Sequence, residues 1–219
     1  MHPTTGFATA HLTDSGNDPE SIYAVMGGKH YNGGCCFDYG NSETDDTDDD
    51  CGTMEAIYFG NAHWRGNSGA GEKGPWVGAD LEQGMYYGGG NVTKINDGNK
   101  PVPFEFVTAS VKGRVDGFTI KGGDATAGNL TTMYDGARPD AGIAGSCGGD
   151  HTYQPMRKEG AIILGTGGDE SNSGAGIFYE GFMATGYVTD VTDEAIQGNI
   201  VAVRYLVGSA LHRNHAISF

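Results

Sequence analysis

The sequence predicts an all-β protein, a jelly-roll sandwich of short strands joined by long loops, with one short helix near the C-terminus. Three observations carry this. Glycine reaches 39 of 219 residues, which calls for many tight turns. Leu occurs only six times against 11 Ile and 12 Val, the reverse of a helical bundle. Finally, 11 Tyr, 9 Phe and 2 Trp supply the large apolar area that a chain with only about 17% Leu, Ile, Val and Phe needs in order to fold.

The strand candidates follow in order. Ser21 to Met26 runs into Gly27-Gly28, and Met54 to Phe59 alternates before Gly60-Asn61. Trp76 to Met85 reads as one strand, with Asp80 and Glu82 on one face and Ala79 and Leu81 on the other. Phe104 to Val111, Gly117 to Lys121, Gly160 to Leu164 and Gly176 to Met183 complete the set. The helix is read from Thr192 as N-cap, Asp193 and Glu194 at its positive end, and a stripe of Ile196, Ile200, Val203 and Val207. Gly198 weakens it and Gly208 would end it. Polar, Gly-rich loops at 44–50, 61–74, 88–100, 137–153 and 165–176 are long enough to build a site. No internal repeat or linker divides the chain, so residues 1–219 read as a single domain.

Charge narrows the function. With 28 acidic and 13 basic residues the net charge is -15, which repels phosphate backbones and anionic bilayers and argues against nucleic-acid or membrane partners. No apolar run approaches the ~20 residues of a membrane helix. No signal peptide is visible at residues 1–16, yet an even cysteine count and the sequons at Asn91 and Asn129 suggest a secreted protein whose leader has been removed, or a chain clipped from a longer precursor.

Several residues are candidates for chemistry. Asp80 and Glu82 share a strand face beside Trp76, and Gly165-Thr-Gly-Gly-Asp169 would bring a second carboxylate into a Gly-rich turn. Two carboxyls facing each other across a bond are what glycoside hydrolysis needs; solvated acids on an acidic surface are the bland reading. Adjacent Cys35 and Cys36 either close a small ring or form long-range disulfides. With Cys51 and Cys147 three connectivities are open, and free thiols remain an alternative. Asp45 to Asp50 lacks the EF-hand pattern and reads as a solvated loop. The scattered histidines give no metal-ligand spacing, so neither a metal nor another cofactor is expected. Trp64 and Trp76 are either sugar platforms or core.

Seven segments then occur in a telling order: Cys-Cys-Phe-Asp-Tyr-Gly-Asn (35–41), Met-Glu-Ala-Ile-Tyr (54–58), Gly-Pro-Trp (74–76), Phe-Val-Thr-Ala (106–109), Gly-Ala-Arg-Pro-Asp (136–140), Lys-Glu-Gly-Ala-Ile-Ile-Leu-Gly (158–165) and Phe-Tyr-Glu-Gly (178–181). Together they resemble the catalytic domain of the α-L-arabinofuranosidases of glycoside hydrolase family 54, over about Ser21 to Ser209. The resemblance implies a concanavalin-like β-sandwich and a retaining hydrolase that releases terminal α-L-arabinofuranosyl groups from arabinan or arabinoxylan. It implies Glu82 as nucleophile and Asp169 as general acid/base, with the Asp169 pKa raised by a negative Glu82 and the two carboxyls about 5–5.5 Å apart. It also implies a Cys35–Cys36 disulfide packed against the sugar, which leaves Cys51 and Cys147 to pair, and Trp64, Asp80 and Gly168 as pocket residues.

Three departures from the family pattern stand out. An N-terminal segment and a C-terminal arabinose-binding module are not in the chain, so a sandwich edge would need self-association or a second chain to cover it. Gln83-Gly84 replaces two Asn, which bears on sugar specificity. The competing expectation is a non-catalytic sugar-binding or structural sandwich module derived from the same family, and a third is a different sugar, such as a galactofuranoside or xyloside.

Overall fold

Residues of alternate parity along each strand part company, one set joining a central core and the other an outer surface. The computed structural model describes residues 14–48, 51–62, 73–88, 96–139, 153, 156–206 and the backbone of 217–218. Within them the strands are β1 (Glu20–Gly27), β2 (Asp38–Ser42), β3 (Glu55–Gly60), β4 (Trp76–Asp80), β5 (Met85–Tyr86), β6 (Phe106–Arg114), β7 (Gly117–Asp124), β8 (Thr131–Ala137), β9 (Ala161–Thr166), β10 (Ile177–Thr185) and β11 (Ile217–Ser218), with helix α1 at Asp190–Val203.

The strands form two sheets. One has six strands in the order β11-β10-β1-β6-β7-β8, the other five in the order β5-β4-β3-β2-β9. Every pairing between strands is antiparallel. Ile22, Ala24 and Met26 of β1, Val107, Ala109 and Val111 of β6, and Phe118 and Ile120 of β7 meet Ile57 and Phe59 of β3 and Val77 and Ala79 of β4 in one shared core. Burying each large apolar side chain there contributes about 1.5–3 kcal/mol. The result is the β-sandwich that composition predicts.

The outer faces differ. On the six-stranded sheet, Val25 and Phe106 cluster with Ile200 and Tyr205 under α1. Lys112 and Lys121 rise from the same face, and Asp193 accepts from both Nζ atoms at 2.6 Å. On the five-stranded sheet the outward row of β4 is Trp76, Gly78 and Asp80, and this face carries the site.

Four expectations are corrected. Trp76 to Met85 is not one strand: β4 stops at Asp80, and Glu82 and Gln83 take left-handed backbone angles (φ 58° and 56°) before β5 resumes the pairing. The strands β2 and β8 were not expected; β2 (Asp-Tyr-Gly-Asn-Ser) has no apolar alternation, and β8 is an exposed edge. The helix starts three residues early, because Thr189 rather than Thr192 is its N-cap, its side chain accepting the Thr192 N–H at 3.2 Å. Its buried stripe is Asp193, Gln197 and Ile200, since two sheet lysines need a carboxylate; Val203 is exposed, and the helix ends at Arg204 in a left-handed cap. Val207 and Gly208 lie outside the described residues.

Candidate active site

The strand registers fix which side chains share the outer face of the five-stranded sheet. Asp38 pairs with Tyr58 and Tyr58 with Gly78, while Ala56 pairs with Asp80. Asp38, Tyr58 and Asp80 therefore lie on one surface, because side chains alternate along a strand. Tyr58, Trp76 and Tyr87 pack edge to face and, with Met85 and Ala62, form a fully buried layer behind Cys36. Trp76 is thus core and not a sugar platform, being 0% exposed. Trp64 lies outside the described residues.

A pocket of about 200 Å³ opens on this surface, lined by Cys35, Cys36, Asp80, Glu82, Gly168 and Asp169 among others. Residues as far apart in sequence as Cys35 and Asp169 thus meet in one cavity, and six of the seven sequence candidates for the site line it. The remaining wall includes Asp48, Met54, Gln83, Gly84, Met85, Gly167 and Ser171.

The turn after β4 presents Glu82. Asp80 Oδ1 accepts the Glu82 N–H at 3.1 Å, Gly84 O accepts the Leu81 N–H at 3.2 Å, and Glu82 O accepts the Tyr153 hydroxyl at 2.7 Å. Left-handed angles are costly for residues with a Cβ, so two in succession at a pocket wall signify local strain held by these bonds. Glu82 is 3% exposed and its Oε1 has no hydrogen-bond partner among the described residues. A buried carboxylate oxygen without a donor is expensive unless a ligand meets it.

Asp169 arrives from the opposite side. Strand β9 delivers the chain into Gly167-Gly168, where Asp169 Oδ1 accepts the Ser171 N–H at 3.0 Å and the side chain remains exposed. Gly168 is required by contact rather than by backbone angle: a Cβ there would lie 1.9 Å from Glu43 Oε2. One carboxyl is therefore buried and the other solvent-facing.

Cys35 and Cys36 form a disulfide with each other. Cys36 Sγ touches Asp80 Oδ2 at 3.6 Å, and the Ser171 hydroxyl donates to Cys35 Sγ at 3.4 Å. These sulfurs are paired and carry no thiolate, so their grouping with Asp80 is a contact and not a metal-ligand set. Cys51 is also disulfide-bonded, and Cys147 lies outside the described residues.

Sequence reasoning missed three carboxyls here. Asp38, on β2, is 0% exposed, and burial followed by repulsion from Asp80 holds its carboxyl well above the usual range. Burial pushes Asp80 up to about 7 and Glu43 to about 8. Asp48, read as part of a solvated run, is exposed but lines the pocket, and its carboxylate and backbone carbonyl accept the Gln83 amide. The remaining described acids of that run, Asp45 and Asp46, are exposed as expected.

Comparison with known proteins identifies the family. The family model for the catalytic domain of α-L-arabinofuranosidase B matches residues 1–206. A probable α-L-arabinofuranosidase B of Aspergillus terreus is 50% identical over 94% of this chain and 39% of its own length. An arabinofuranosidase/β-xylosidase of Trichoderma koningii is likewise 50% identical, over 94% of this chain and 39% of its own. A solved arabinofuranosidase complexed with arabinofuranosyl-α-1,2-xylobiose superposes with a TM-score of 0.82 at 46% identity, over 92% of this chain and 39% of that one. A family 54 α-L-arabinofuranosidase variant soaked with 4-nitrophenyl α-L-arabinofuranoside gives 0.81 at 47% identity, over 90% of this chain and 38% of that one. The chain spans about two-fifths of the length of these relatives. It belongs to the family of α-L-arabinofuranosidase B catalytic domains.

Proposed function

We propose that this chain is a retaining glycoside hydrolase that releases terminal α-L-arabinofuranosyl groups from arabinose-containing oligosaccharides and polysaccharides. The observation that carries the reading is the asymmetry of the pocket: a buried Glu82 whose Oε1 has no donor among the described residues faces a cavity that also holds a solvent-exposed Asp169. The solved relatives, bound to or soaked with arabinofuranosides, support the substrate class.

In the first step Glu82 attacks the anomeric carbon as the bond to the leaving oxygen breaks. Asp169 gives that oxygen its proton, which suits a carboxyl at the pocket mouth where the leaving group departs. In the second step Asp169 takes a proton from water, the water oxygen attacks the anomeric carbon, and Glu82 leaves as a carboxylate. Asp80 Oδ2 and the Cys35–Cys36 sulfurs form one wall, the carboxylate to accept a sugar hydroxyl and the disulfide to pack against the ring. Gly168 lets the turn approach that ring.

A xyloside activity is the second reading, favoured by the dual name of the Trichoderma relative. Secretion is part of the proposal as well. The relatives are fungal hydrolases of this type, Asn129 of the second sequon is exposed after β7, and no helix among the described residues is long and apolar enough to cross a membrane. Asn91 lies outside the described residues.

The test is hydrolysis of 4-nitrophenyl α-L-arabinofuranoside by the wild type beside Glu82→Gln. The variant is expected to fold normally and to lose about 10³-fold or more in kcat. A folded variant with wild-type turnover removes Glu82 from the mechanism. Binding of arabinose by an inactive wild type would favour the non-catalytic module instead.

A further inference from the structure

Residues 167–176 connect β9 to β10 and carry Asp169. The two strands belong to different sheets, β9 at the end of the five-stranded one and β10 inside the six-stranded one, so this connection crosses the sandwich without a ladder of its own. Bonds within it close the turn but do not fix where the turn stands. Ser171 O accepts the Gly167 N–H at 2.8 Å and the Thr166 hydroxyl at 3.1 Å, and Asp169 Oδ1 accepts the Ser171 N–H at 3.0 Å.

The turn is located instead by a seam with residues 32–36. Cys36 donates its N–H to Ser171 O at 3.1 Å, and Cys35 O accepts both the N–H and the hydroxyl of Ser173, at 2.8 and 2.9 Å. The Ser171 hydroxyl reaches Cys35 Sγ at 3.4 Å. The two backbones touch: a Cβ on Gly34 would collide with Ser173 O, and one on Gly174 with the backbone of Cys36.

One side chain stitches both edges of this seam. Asn32 Oδ1 accepts the N–H of Gly34, just before the disulfide, and the N–H of Ala175, beyond Asp169, each at 3.0 Å. Its Nδ2 donates to Ser173 O at 2.9 Å. The junction presents two donors and one acceptor to the same point, which a primary amide satisfies and a carboxylate or hydroxyl does not. Asn32 is exposed and does not line the pocket, so it acts on the reaction only through what it holds.

We infer that Asn32 is a positioning residue, which holds the Asp169 turn against the Cys35–Cys36 wall and so sets where the acid/base carboxyl stands. Proton transfer needs that carboxyl within about 2.6–3.2 Å of the leaving oxygen, and a misplacement of about 1 Å can cost about 10²-fold. Glu82 is held by a separate set of bonds, from Asp80 and Tyr153. Losing Asn32 therefore impairs the acid and spares the nucleophile.

This rests on the roles of Glu82 and Asp169 proposed above, and its test separates the two. In the first arm, kcat/KM of the wild type and Asn32→Ala is measured on 4-nitrophenyl, phenyl and methyl α-L-arabinofuranosides, because kcat/KM reports the step in which the leaving group departs. The variant is expected to stay within about threefold of wild type on the nitrophenyl substrate, which needs no acid, and to lose about 10- to 100-fold on the methyl substrate, with phenyl between. An equal loss on all three, or no loss on any, overturns the inference. In the second arm, backbone amide hydrogen exchange compares the same two proteins. Exchange at 171–175 and 33–36 is expected to quicken by about threefold or more in the variant while β1 and β3 keep their protection. Unchanged exchange in both segments overturns the inference. A wild type inactive on every arabinofuranoside overturns the furanosidase reading instead, and the exchange arm still decides whether Asn32 holds the Asp169 turn.

Discussion

Glu43 offers the sharpest test of the electrostatics under the site. Its carboxyl is 2% exposed, with the Ser42 hydroxyl on Oε2 at 3.1 Å and the Thr53 hydroxyl on Oε1 at 3.4 Å. Burial is the main reason that it titrates at about 8 instead of the ordinary 4.5, with repulsion from Asp80 adding to it. A folded pKa above the unfolded one stabilises the fold fully below pH 4.5, and that stability is lost as pH rises to about 8. Each pH unit in this window favours the unfolded chain by about 1.4 kcal/mol, so by pH 7 the loss is roughly 3 kcal/mol.

Glu43→Gln removes the titration and weakens one hydroxyl contact, at a cost of about 1 kcal/mol. The variant should therefore be about 1 kcal/mol less stable than wild type near pH 4 and about 2 kcal/mol more stable near pH 7. For a chain of this size these are shifts in Tm of roughly -2 to -4 °C and +4 to +8 °C. Thermal unfolding at half-unit pH steps would show the two curves crossing. Parallel curves, with the variant offset equally at both ends, would refute the reasoning. Glu20, pushed to about 7 by burial, declines in both proteins and leaves the crossing intact.

Two other perturbations follow from packing. Gly168→Ala drives a Cβ to 1.9 Å from Glu43 Oε2, so the carboxyl or the turn must move. Unfolding should report a loss of about 1–3 kcal/mol, and kinetics a fall in kcat as Asp169 is displaced. Asp193→Ala removes the buried carboxylate that Lys112 and Lys121 share at 2.6 Å under α1 and leaves them only the exposed Asp190 as an acidic partner. Because Asp190 still serves both lysines, denaturant unfolding should show about 1–3 kcal/mol lost, with kcat unchanged because α1 covers the other sheet.

How far the sequence reaches can be traced residue by residue. Strands such as Met54–Phe59 and Gly117–Lys121 were legible because alternation toward the core marks them. Strand β2 was not, since its outward positions Asp38, Gly40 and Ser42 are buried yet polar or without a side chain, and such residues look like loop residues. The break after Asp80 was invisible because Gln83 and Glu82 carry no turn signature; the left-handed turn is held by tertiary bonds. Glu82, Asp169, Asp80, Gly168 and the paired cysteines were found through ordered motifs and do line one pocket. Asp38 and Glu43 were not found, because among 28 acidic residues nothing in the sequence separates a buried acid from a solvated one. Only the registers and the depth of the sheet face single them out.

The most direct test of the central claim is azide rescue of Asp169→Gly on 4-nitrophenyl α-L-arabinofuranoside, whose leaving group needs no acid. If Glu82 is the nucleophile and Asp169 the acid/base, azide should restore turnover and yield α-L-arabinofuranosyl azide with retained configuration. An azide product of inverted configuration would contradict double displacement at Glu82. A folded Asp169→Gly that azide cannot rescue would contradict the role of Asp169.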